Sequence, residues 1–482
     1  MKSPTKTVLN LLLALALVPH ASTTPQRNAP KTAQARDILR QAYTLLKDFP
    51  EDSRPGAAAK LAHLQGRAGD SSGALETASS LANPTDYTEA LRNISWGLAQ
   101  RGDTAAAVHV LESAPASQLR AGWYSNVAII LAGRGDIAGA RRLLPLTNEA
   151  LDSHAAVLTS IARAQKNAGD AAAAAKTLHE ALLIADQEHA ETPDAGVSDE
   201  PEILADIAQA QDALGDHPAS LLTLARLGRL VEQAQPGSRD ELLKLFARAQ
   251  ANVGEAAAAE QTANQIPINA ATGNGPIPVG QSREYNLSLV AQLVARHGDV
   301  RGARGVAAGI ALPQWQSYAY GDIAEAQADA GDLAGAQETI ALIPDAASRI
   351  FSLARIAEDL AHHSSPAAEG MLQIATSAAA ATPGEDPQAV LPNLAMARAD
   401  TGDINGAQAI IAGLQEEHSK FLPQLHLLQA MAQAGDVPGA LALAQNQSFP
   451  TNKFEMLIRV ATGILDAVDA QNKKQSGNPA LR

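Results

Sequence analysis

A Gly-Asp dipeptide recurs along the chain, and its interval constrains the fold more than any other sequence feature. Five of the nine steps between its copies are 33 or 34 residues long, and Glu255 replaces the aspartate once. A fixed period of this length is typical of repeat proteins. The gap of 71 residues between Gly331 and Gly402 predicts one degenerate unit, with its turn near residues 363–366. The sequence therefore predicts eleven units, ten of which have a turn glycine: Gly69, Gly102, Gly135, Gly169, Gly215, Gly254, Gly298, Gly331, Gly402 and Gly435.

The two residues of the dipeptide have separate structural roles. Glycine adopts the left-handed backbone conformation without steric penalty, so it ends a first helix. The acidic residue accepts hydrogen bonds from the free N–H groups of the next helix, and its charge suits the positive helix end. Losing such a cap typically costs about 1 kcal/mol. We therefore expect these ten acidic residues to cap helices rather than to catalyse a reaction or bind a metal.

Further positions recur in phase with the glycine. Large apolar residues lie 11 and 8 residues before it and a small residue lies 7 before it, as in Leu158, Ile161 and Ala162. These offsets place them on one helical face, where the small residue marks a close helix contact. Each unit is therefore predicted to be a helix of about fifteen residues, a turn and a shorter second helix. Alanine follows the glycine by five residues in most units, and proline closes many: Ala74, Ala107, Ala140, Ala174, Ala259, Ala303, Ala336, Ala407, Ala440; Pro84, Pro115, Pro145, Pro313, Pro344, Pro450.

This pattern resembles the tetratricopeptide repeat family over roughly residues 35–470. The resemblance implies an all-α fold, a right-handed α-solenoid of about eleven helix-turn-helix repeats at residues 35–471. Where that family has a Trp-like position this chain has Leu, Tyr or Ala, so a related α-solenoid with shorter helices remains an alternative. A leading helix is expected at 36–48. A trailing helix is expected at 453–470, where it would shield the last repeat from solvent, before a flexible tail at 472–482.

The N-terminus has the three parts of a secretory signal peptide. Lys2 and Lys6 precede an eleven-residue apolar run, Val8 to Val18, which is too short to span a bilayer comfortably. Small residues after Pro19 offer a cleavage point. We therefore expect residues 1–22 to be a signal peptide, residues 23–34 a linker, and the protein to be secreted or periplasmic. An uncleaved anchor is the alternative, and no later segment predicts a membrane span.

Composition excludes several classes of function. The formal net charge is -14, so a nucleic acid partner is not expected, since such binding depends on Lys and Arg at phosphates. The chain has no cysteine, which excludes disulfides, thiolate metal sites and a cysteine nucleophile. No zinc-binding helix motif or phosphate loop is present. The pair His362–His363 falls in the degenerate turn. We interpret both as solvated turn residues that replace the Gly-Asp dipeptide, not as metal ligands. We expect no enzyme activity, no cofactor and no metal.

Two insertions interrupt the repeats. Residues 187–201 are acidic and contain proline, and residues 266–283 are rich in Gly, Pro and Asn. Long loops of this kind are either functional or disordered, so a contact loop and a tolerated insertion both remain open for each.

The resemblance also implies a binding groove, because the first helices of such repeats line the inner surface. Its exposed positions lie 10, 9 and 6 residues before each turn glycine, and in the first half of the chain they are polar to basic. Basic groups would attract acidic or carboxylate groups of a partner, and Trp96 is the residue best suited to anchor one. The predicted partner-binding residues are Arg92, Asn93, Trp96, Asn126, Arg163, Lys244 and Arg248.

Three hypotheses for function follow. The first is a non-catalytic scaffold of the cell envelope or extracellular space that binds a protein or peptide in the groove. The second is a glycan- or cell-wall-binding module that assists polysaccharide metabolism, a role that favours exposed aromatic residues. The third is an enzyme with an unrecognised site, which would require a cluster of perturbed acidic groups in the groove.

Overall fold

Twenty-four α-helices and no strand make up the part of the chain that the computed structural model describes. That part is residues 29–114, 120–148, 150–194, 198–267, 282–362, 367–380 and 387–476. The chain divides into two units, unit 1 (residues 1–174 and 425–482) and unit 2 (residues 175–424). The all-α helical-repeat fold is thus confirmed. The predicted signal peptide, residues 1–22, lies outside the described residues.

The helices of unit 1 begin with a leading helix and end with a trailing one. The divisions between the units fall inside α9 (Ala171–Glu191) and α22 (Glu417–Ala434). The other helices of unit 1 are α1 (Ala29–Leu45), α2 (Arg54–Arg67), α3 (Ser71–Ser79), α4 (Pro84–Arg101), α5 (Thr104–Ser113), α6 (Arg120–Gly133), α7 (Ile137–Leu143), α8 (Leu151–Asn167), α23 (Val437–Gln445) and α24 (Pro450–Ser476).

Unit 2 contains the remaining helices. They are α10 (Glu200–Leu214), α11 (His217–Gln233), α12 (Pro236–Asn252), α13 (Ala256–Ala263), α14 (Ser282–Arg296), α15 (Val300–Ala308), α16 (Pro313–Asp329), α17 (Leu333–Ile340), α18 (Ala346–His362), α19 (Ala368–Ala380), α20 (Pro387–Asp400) and α21 (Ile404–Gly413). From α2 to α23 the helices form eleven successive pairs, as the sequence predicts. The turn of the degenerate pair, α18 and α19, lies outside the described residues.

The turns follow the predicted chemistry with one exception. All ten turn glycines have a positive φ, between 72° and 105°. Nine of the acidic residues after them accept a hydrogen bond from the backbone N–H three residues on, as Asp136 does from Gly139 at 2.8 Å. The prediction that Glu255 caps its helix is wrong, because its side chain makes no capping bond. The extra methylene of glutamate carries the carboxylate past the N–H groups, toward His217.

Small residues permit close packing of the first helices. A Cβ atom added at Gly97 in α4 would overlap the carbonyl oxygen of His63 in α2. At Gly321 in α16 the nearest atom would instead be the hydroxyl of Ser352, at 2.9 Å. Glycine is thus required at residue 97 because backbone, which cannot move aside, lies against it.

A buried hydrogen bond joins the two helices of several units. The hydroxyl of Thr77 donates to the side-chain carbonyl of Gln65 at 2.7 Å, and Thr223 donates to Gln211 at the same distance. Each glutamine lies four residues before the turn glycine and each threonine eight after it. Because both side chains are buried, each satisfies a polar group that would otherwise be costly.

The two ends of the described chain form a helix pair within unit 1. Helix α24 packs along α1, and the ring of Phe454 meets that of Phe49 edge-on, with centroids 5.0 Å apart. Leu457, Val460 and Ala461 of α24 repeat the large, large, small spacing of a first helix, and all three are buried. The pair α24–α1 is therefore built like a further repeat whose two helices come from opposite ends of the chain.

The bounds of these end helices differ from the predicted ones. Helix α1 begins at Ala29 and includes residues that the sequence places in the linker 23–34. Helix α24 continues to Ser476, beyond the predicted start of the tail at 472. It packs on α23, as expected of a trailing helix, and also on α1, which the sequence does not predict.

The described parts of the first insertion are held within unit 2. Helix α9 extends through residues 187–191, and α10 begins at Glu200. Glu200 is buried and accepts from the guanidinium of Arg226, with a distance of 2.8 Å to Nε, while its other oxygen meets His189 at 2.8 Å. Of the second insertion, residues 268–281 lie outside the described residues. No described helix is both long enough and apolar enough to span a membrane.

Candidate functional site

The predicted residues of α4 partly neutralise one another. The guanidinium of Arg92 pairs with the carboxylate of Glu89, one helical turn before it. Asn93 donates from its amide to the carbonyl oxygen of Glu89 at 2.9 Å. The positive charge of Arg92 is therefore already compensated within its own helix. It adds little to the basic character that the sequence predicts for the groove positions.

Trp96 is exposed and packs against a histidine of the preceding repeat. Its side chain is 41 % exposed, and its ring packs edge-on against that of His63, with centroids 5.5 Å apart. Burial lowers the pKa of His63 below its ordinary value, despite a 3.2 Å hydrogen bond between Nδ1 and the carbonyl oxygen of Asn93. The imidazole beside Trp96 is thus neutral at pH 7, and Trp96 presents an aromatic surface with no charge on the ring that it packs against.

The other predicted residues have different surroundings. Asn126 in α6 and Arg163 in α8 are exposed in unit 1, as expected. The expected exposure is wrong for Lys244 in unit 2, which is 6 % exposed, with its ammonium 2.7 Å from Glu241. Arg248 is half-buried and donates from Nε to the carbonyl oxygen of Lys244 at 3.1 Å. The repeat period places Lys244 on the first helix but does not show that its own helix supplies a counter-ion.

A cluster of aromatic side chains in unit 2 is absent from the predicted set. Trp315, near the start of α16, packs against Tyr285 of α14 and Tyr318 of its own helix, with ring centroids 5.2 and 5.6 Å apart. Tyr318 is 53 % exposed, and Phe351 of α18 is 37 % exposed. We call these four residues the aromatic row, since they lie near the N-termini of three successive first helices that pack side by side.

The sequence contains a signal for the aromatic row. Tyr285, Tyr318 and Phe351 are spaced by 33 residues each time (318 minus 285, and 351 minus 318), which is the repeat period. These three residues lie further from the turn than the groove positions that the family resemblance implies. The resemblance therefore does not predict them as binding residues. Helices of successive repeats place such periodic residues next to each other.

An ion-pair network crosses the same three helices. Arg355 of α18 is 2.7 Å from Asp322 and also pairs with Glu325, both in α16, while Arg296 of α14 is 3.1 Å from Glu325. Burial raises the pKa of Asp322 and that of Glu325, and Arg355 partly offsets the rise. These are the perturbed acidic groups that an enzyme would require, but carboxylates buried in a structural ion-pair network also have shifted pKa values.

Unit 2 also contains an acidic cluster and a cavity. Carboxylate oxygens of Glu325, Asp329 and Asp359 lie within 4.8 Å of one another, but the pairing of Glu325 with two arginines already compensates its charge. A cavity of about 350 Å³ opens between α15 and α17. Its lining mixes both signs of charge and favours no single ligand: Val300, Arg301, Arg304, Gln327, Asp332, Gly335 and Glu338.

Comparison with known proteins gives no family. No protein-family model matches the chain. No curated protein matches it either. The helical-repeat fold therefore rests on the helices described above.

Similar solved structures are distant. Ton1535 from Thermococcus onnurineus NA1 is 11 % identical, with 84 % of this chain and 98 % of that chain covered and a TM-score of 0.28. The pentatricopeptide repeat protein PPR10 from maize is 14 % identical over 98 % of this chain and 68 % of that chain, with a TM-score of 0.33. A circular tandem repeat protein with novel repeat topology is 12 % identical over 98 % and 99 %, with a TM-score of 0.16. Scores this low carry no argument about function.

Proposed function

We propose that the chain is a non-catalytic scaffold of tetratricopeptide-like repeats that binds a protein or peptide. The observation that carries this proposal is the aromatic row, in which rings recur on three successive first helices; Tyr318 and Phe351 are exposed, and Tyr285 and Trp315 are half-buried. Aromatic side chains give large apolar contacts at a low entropic cost and dominate the energetics of protein interfaces. The row thus has the composition of a contact surface, and the ion-pair network beside it compensates the nearby charges.

The spacing of the row favours an extended, proline-rich peptide. Packed helices lie about 8–10 Å apart. A polyproline II segment advances about 9 Å in three residues, and proline-rich segments bind grooves lined by aromatic residues. Every third residue of such a peptide would therefore meet the ring from the next helix. Trp96, Asn126 and Arg163, all exposed in unit 1, support a second contact surface there.

The direct test is binding of a fluorescein-labelled decaproline peptide to the full chain. We expect the Tyr318→Ala and Phe351→Ala variants each to weaken binding by about tenfold, as the loss of a central aromatic contact does. Leu222→Ala is the matched control, because Leu222 is a 74 % exposed apolar residue of unit 2 outside the row. A labelled peptide of equal length without proline reports non-specific association.

A neutral glycan is the second candidate, since sugars also stack on exposed aromatic rings. A β-linked glucose hexasaccharide is tested against the same variants. If it binds and the decaproline does not, and both row variants abolish its binding, the glycan role replaces the peptide role. If row variants bind both probes as the unsubstituted chain does, the aromatic row is not the site.

We further propose that the scaffold acts in the cell envelope or outside the cell. The support is the sequence of residues 1–22. Expression of the full chain in its source, followed by N-terminal sequencing of the exported protein, is the measurement. A mature N-terminus near residue 23 supports the proposal, and an intact N-terminus in the cytoplasm contradicts it.

A further inference from the structure

Four titratable side chains from three consecutive turns meet in unit 2. Asp212 lies at the end of α10, His217 at the start of α11, Glu255 after the Gly254 turn, and His297 just after α14. Nδ1 of His217 is 2.8 Å from one oxygen of Asp212, and Nε2 of His297 is 2.9 Å from the other. Nε2 of His217 is 3.4 Å from Glu255. The cluster joins side chains 85 residues apart in sequence.

The position of His297 depends on the turn glycine beneath it. The imidazole lies over Gly254, so a Cβ atom there would come 2.5 Å from the ring carbon Cε1. His297 is the residue just before the turn glycine Gly298. From there its side chain extends toward the preceding turns. The ring of His297 passes over the Gly254 turn and forms a hydrogen bond with Asp212, which lies beside the Gly215 turn.

The contacts of His217 select one protonation state. A neutral imidazole has one N–H donor and one acceptor nitrogen, whereas an imidazolium has two donors. Because both ring nitrogens of His217 face carboxylates, Asp212 and Glu255, only the protonated ring donates to both. A neutral ring would direct a lone pair at one carboxylate, which is repulsive. The geometry therefore fits a charged His217 between two acidic groups.

The structure assigns a regulatory role to this cluster. We propose that Asp212, His217, Glu255 and His297 form a pH-dependent clamp, which ties three consecutive turns of unit 2 together in mild acid and loosens above neutral pH. The charged partners of His217 are Asp212 and Glu255, and those of Asp212 are the two histidines. The clamp goes beyond the proposed binding function, because it controls the rigidity of unit 2 whatever partner binds.

Two titrations bound the pH range of the clamp. The hydrogen bond to Asp212 raises the pKa of His217 above 6.5, so its contribution to stability is full below pH 6.5 and is lost as the pH rises through the raised pKa. Burial disfavours the charged form of Asp212, but hydrogen bonds from His297 and His217 hold its pKa below 3.8. Its contribution is present above pH 3.8 and is lost as the pH falls through the lowered pKa. The clamp is thus strongest between these limits.

Hydrogen exchange of the full chain, followed by mass spectrometry at pH 5.5 and pH 8 and corrected for intrinsic rates, tests the clamp. We expect peptides covering residues 211–217 and 294–299 to be better protected at pH 5.5. Asp212→Asn should abolish the difference. His297→Arg, which introduces a permanent charge, should reduce it.

A control variant and an NMR titration test the clamp independently of hydrogen exchange at these peptides. His418→Gln removes an 82 % exposed histidine elsewhere in unit 2 and should leave the pH difference unchanged. NMR of ring-labelled histidine should show His217 titrating above 6.5, and Asp212→Asn should lower that value. The clamp is refuted if protection of these peptides is equal at the two pH values, or if Asp212→Asn keeps the full difference. Neither result bears on peptide binding at the aromatic row.

Discussion

The two units connect neighbouring turns with different chemistry at the same repeat position. At two turns of unit 1 the residue just before the turn glycine is an arginine, Arg101 or Arg134, and each guanidinium reaches back over the preceding turn glycine to a backbone carbonyl. In unit 2 the same position holds His297, which passes over Gly254 and bonds to a carboxylate. Arginine stays charged at every physiological pH, whereas histidine titrates near neutrality. One position therefore holds a guanidinium that links turns in unit 1 and an imidazole that links turns in unit 2.

The largest expected effect concerns how closely the first helices pack in each unit. Gly97→Ala should destabilise unit 1 by about 3 kcal/mol, because the added methyl group meets the backbone of His63. Gly321→Ala should cost unit 2 less, because the Ser352 hydroxyl can rotate away. Urea unfolding with hydrogen exchange of each unit measures both. Gly56→Ala is the control, since no atom lies near its added methyl. Equal losses for residues 97 and 321 would contradict this account of the packing.

The next largest loss of stability is expected at two arginines, one in each unit, that each pair with two carboxylates. Arg67 in unit 1 is 14 % exposed and lies 2.7 Å from Asp466 and 2.6 Å from Asp469. Arg67→Ala should cost about 2 kcal/mol, the loss expected when partly buried charges lose their partner. Arg355→Ala should cost a similar amount in unit 2 at pH 7.

The pH dependence of the second arginine variant sharpens the comparison. Asp322 and Glu325 have raised pKa values in the folded state, so the fold binds protons more tightly there and gains stability as the pH falls. The loss in Arg355→Ala should therefore shrink from pH 7 to pH 4.5, as urea midpoints would measure. A loss that stays constant over this range would show that the carboxylates remain charged.

The smallest loss of stability is expected at the acidic residue after the turn glycine. Here an aspartate turn is compared with the glutamate turn. Asp136→Ala removes a helix cap from unit 1 and should cost about 1 kcal/mol. Glu255→Ala removes no cap and should change stability at pH 8 by only a few tenths of a kcal/mol. Thermal unfolding of both variants at pH 8 is the measurement. A loss at residue 255 as large as that at residue 136 would mean that Glu255 does cap its helix.

The sequence predicts what depends on local chemistry. The helix pairs, the positive φ of the turn glycines and nine of the ten caps follow from residues within one turn. The failure at Glu255 has a local cause too, because one methylene decides whether the carboxylate reaches the N–H groups. The burial of Lys244 cannot be predicted from the repeat period, because the period fixes the place of a residue on its helix but not how deeply neighbouring side chains cover it.

Other features depend on contacts between distant parts of the chain. The meeting of Asp212 with His297 requires three turns to stack in a defined geometry, and no single repeat contains that information. The α24–α1 pair likewise depends on where the last described repeat ends relative to the first. The aromatic row is an intermediate case, since the 33-residue spacing of its rings is visible in the sequence but their exposure is not.

The pairing of α1 with α24 has a mechanical consequence. Because the two helices run in opposite directions, residues 29 and 476 lie at the same end of the pair. A pulling force applied at these two residues would unzip α24 from α1 before it stretched any repeat between them. The contacts that bear the load first would be the pair's own side chains, and the salt bridges at Lys60 and Arg67 would follow. In an optical-tweezers experiment, one small early extension would thus precede the unfolding of the repeats.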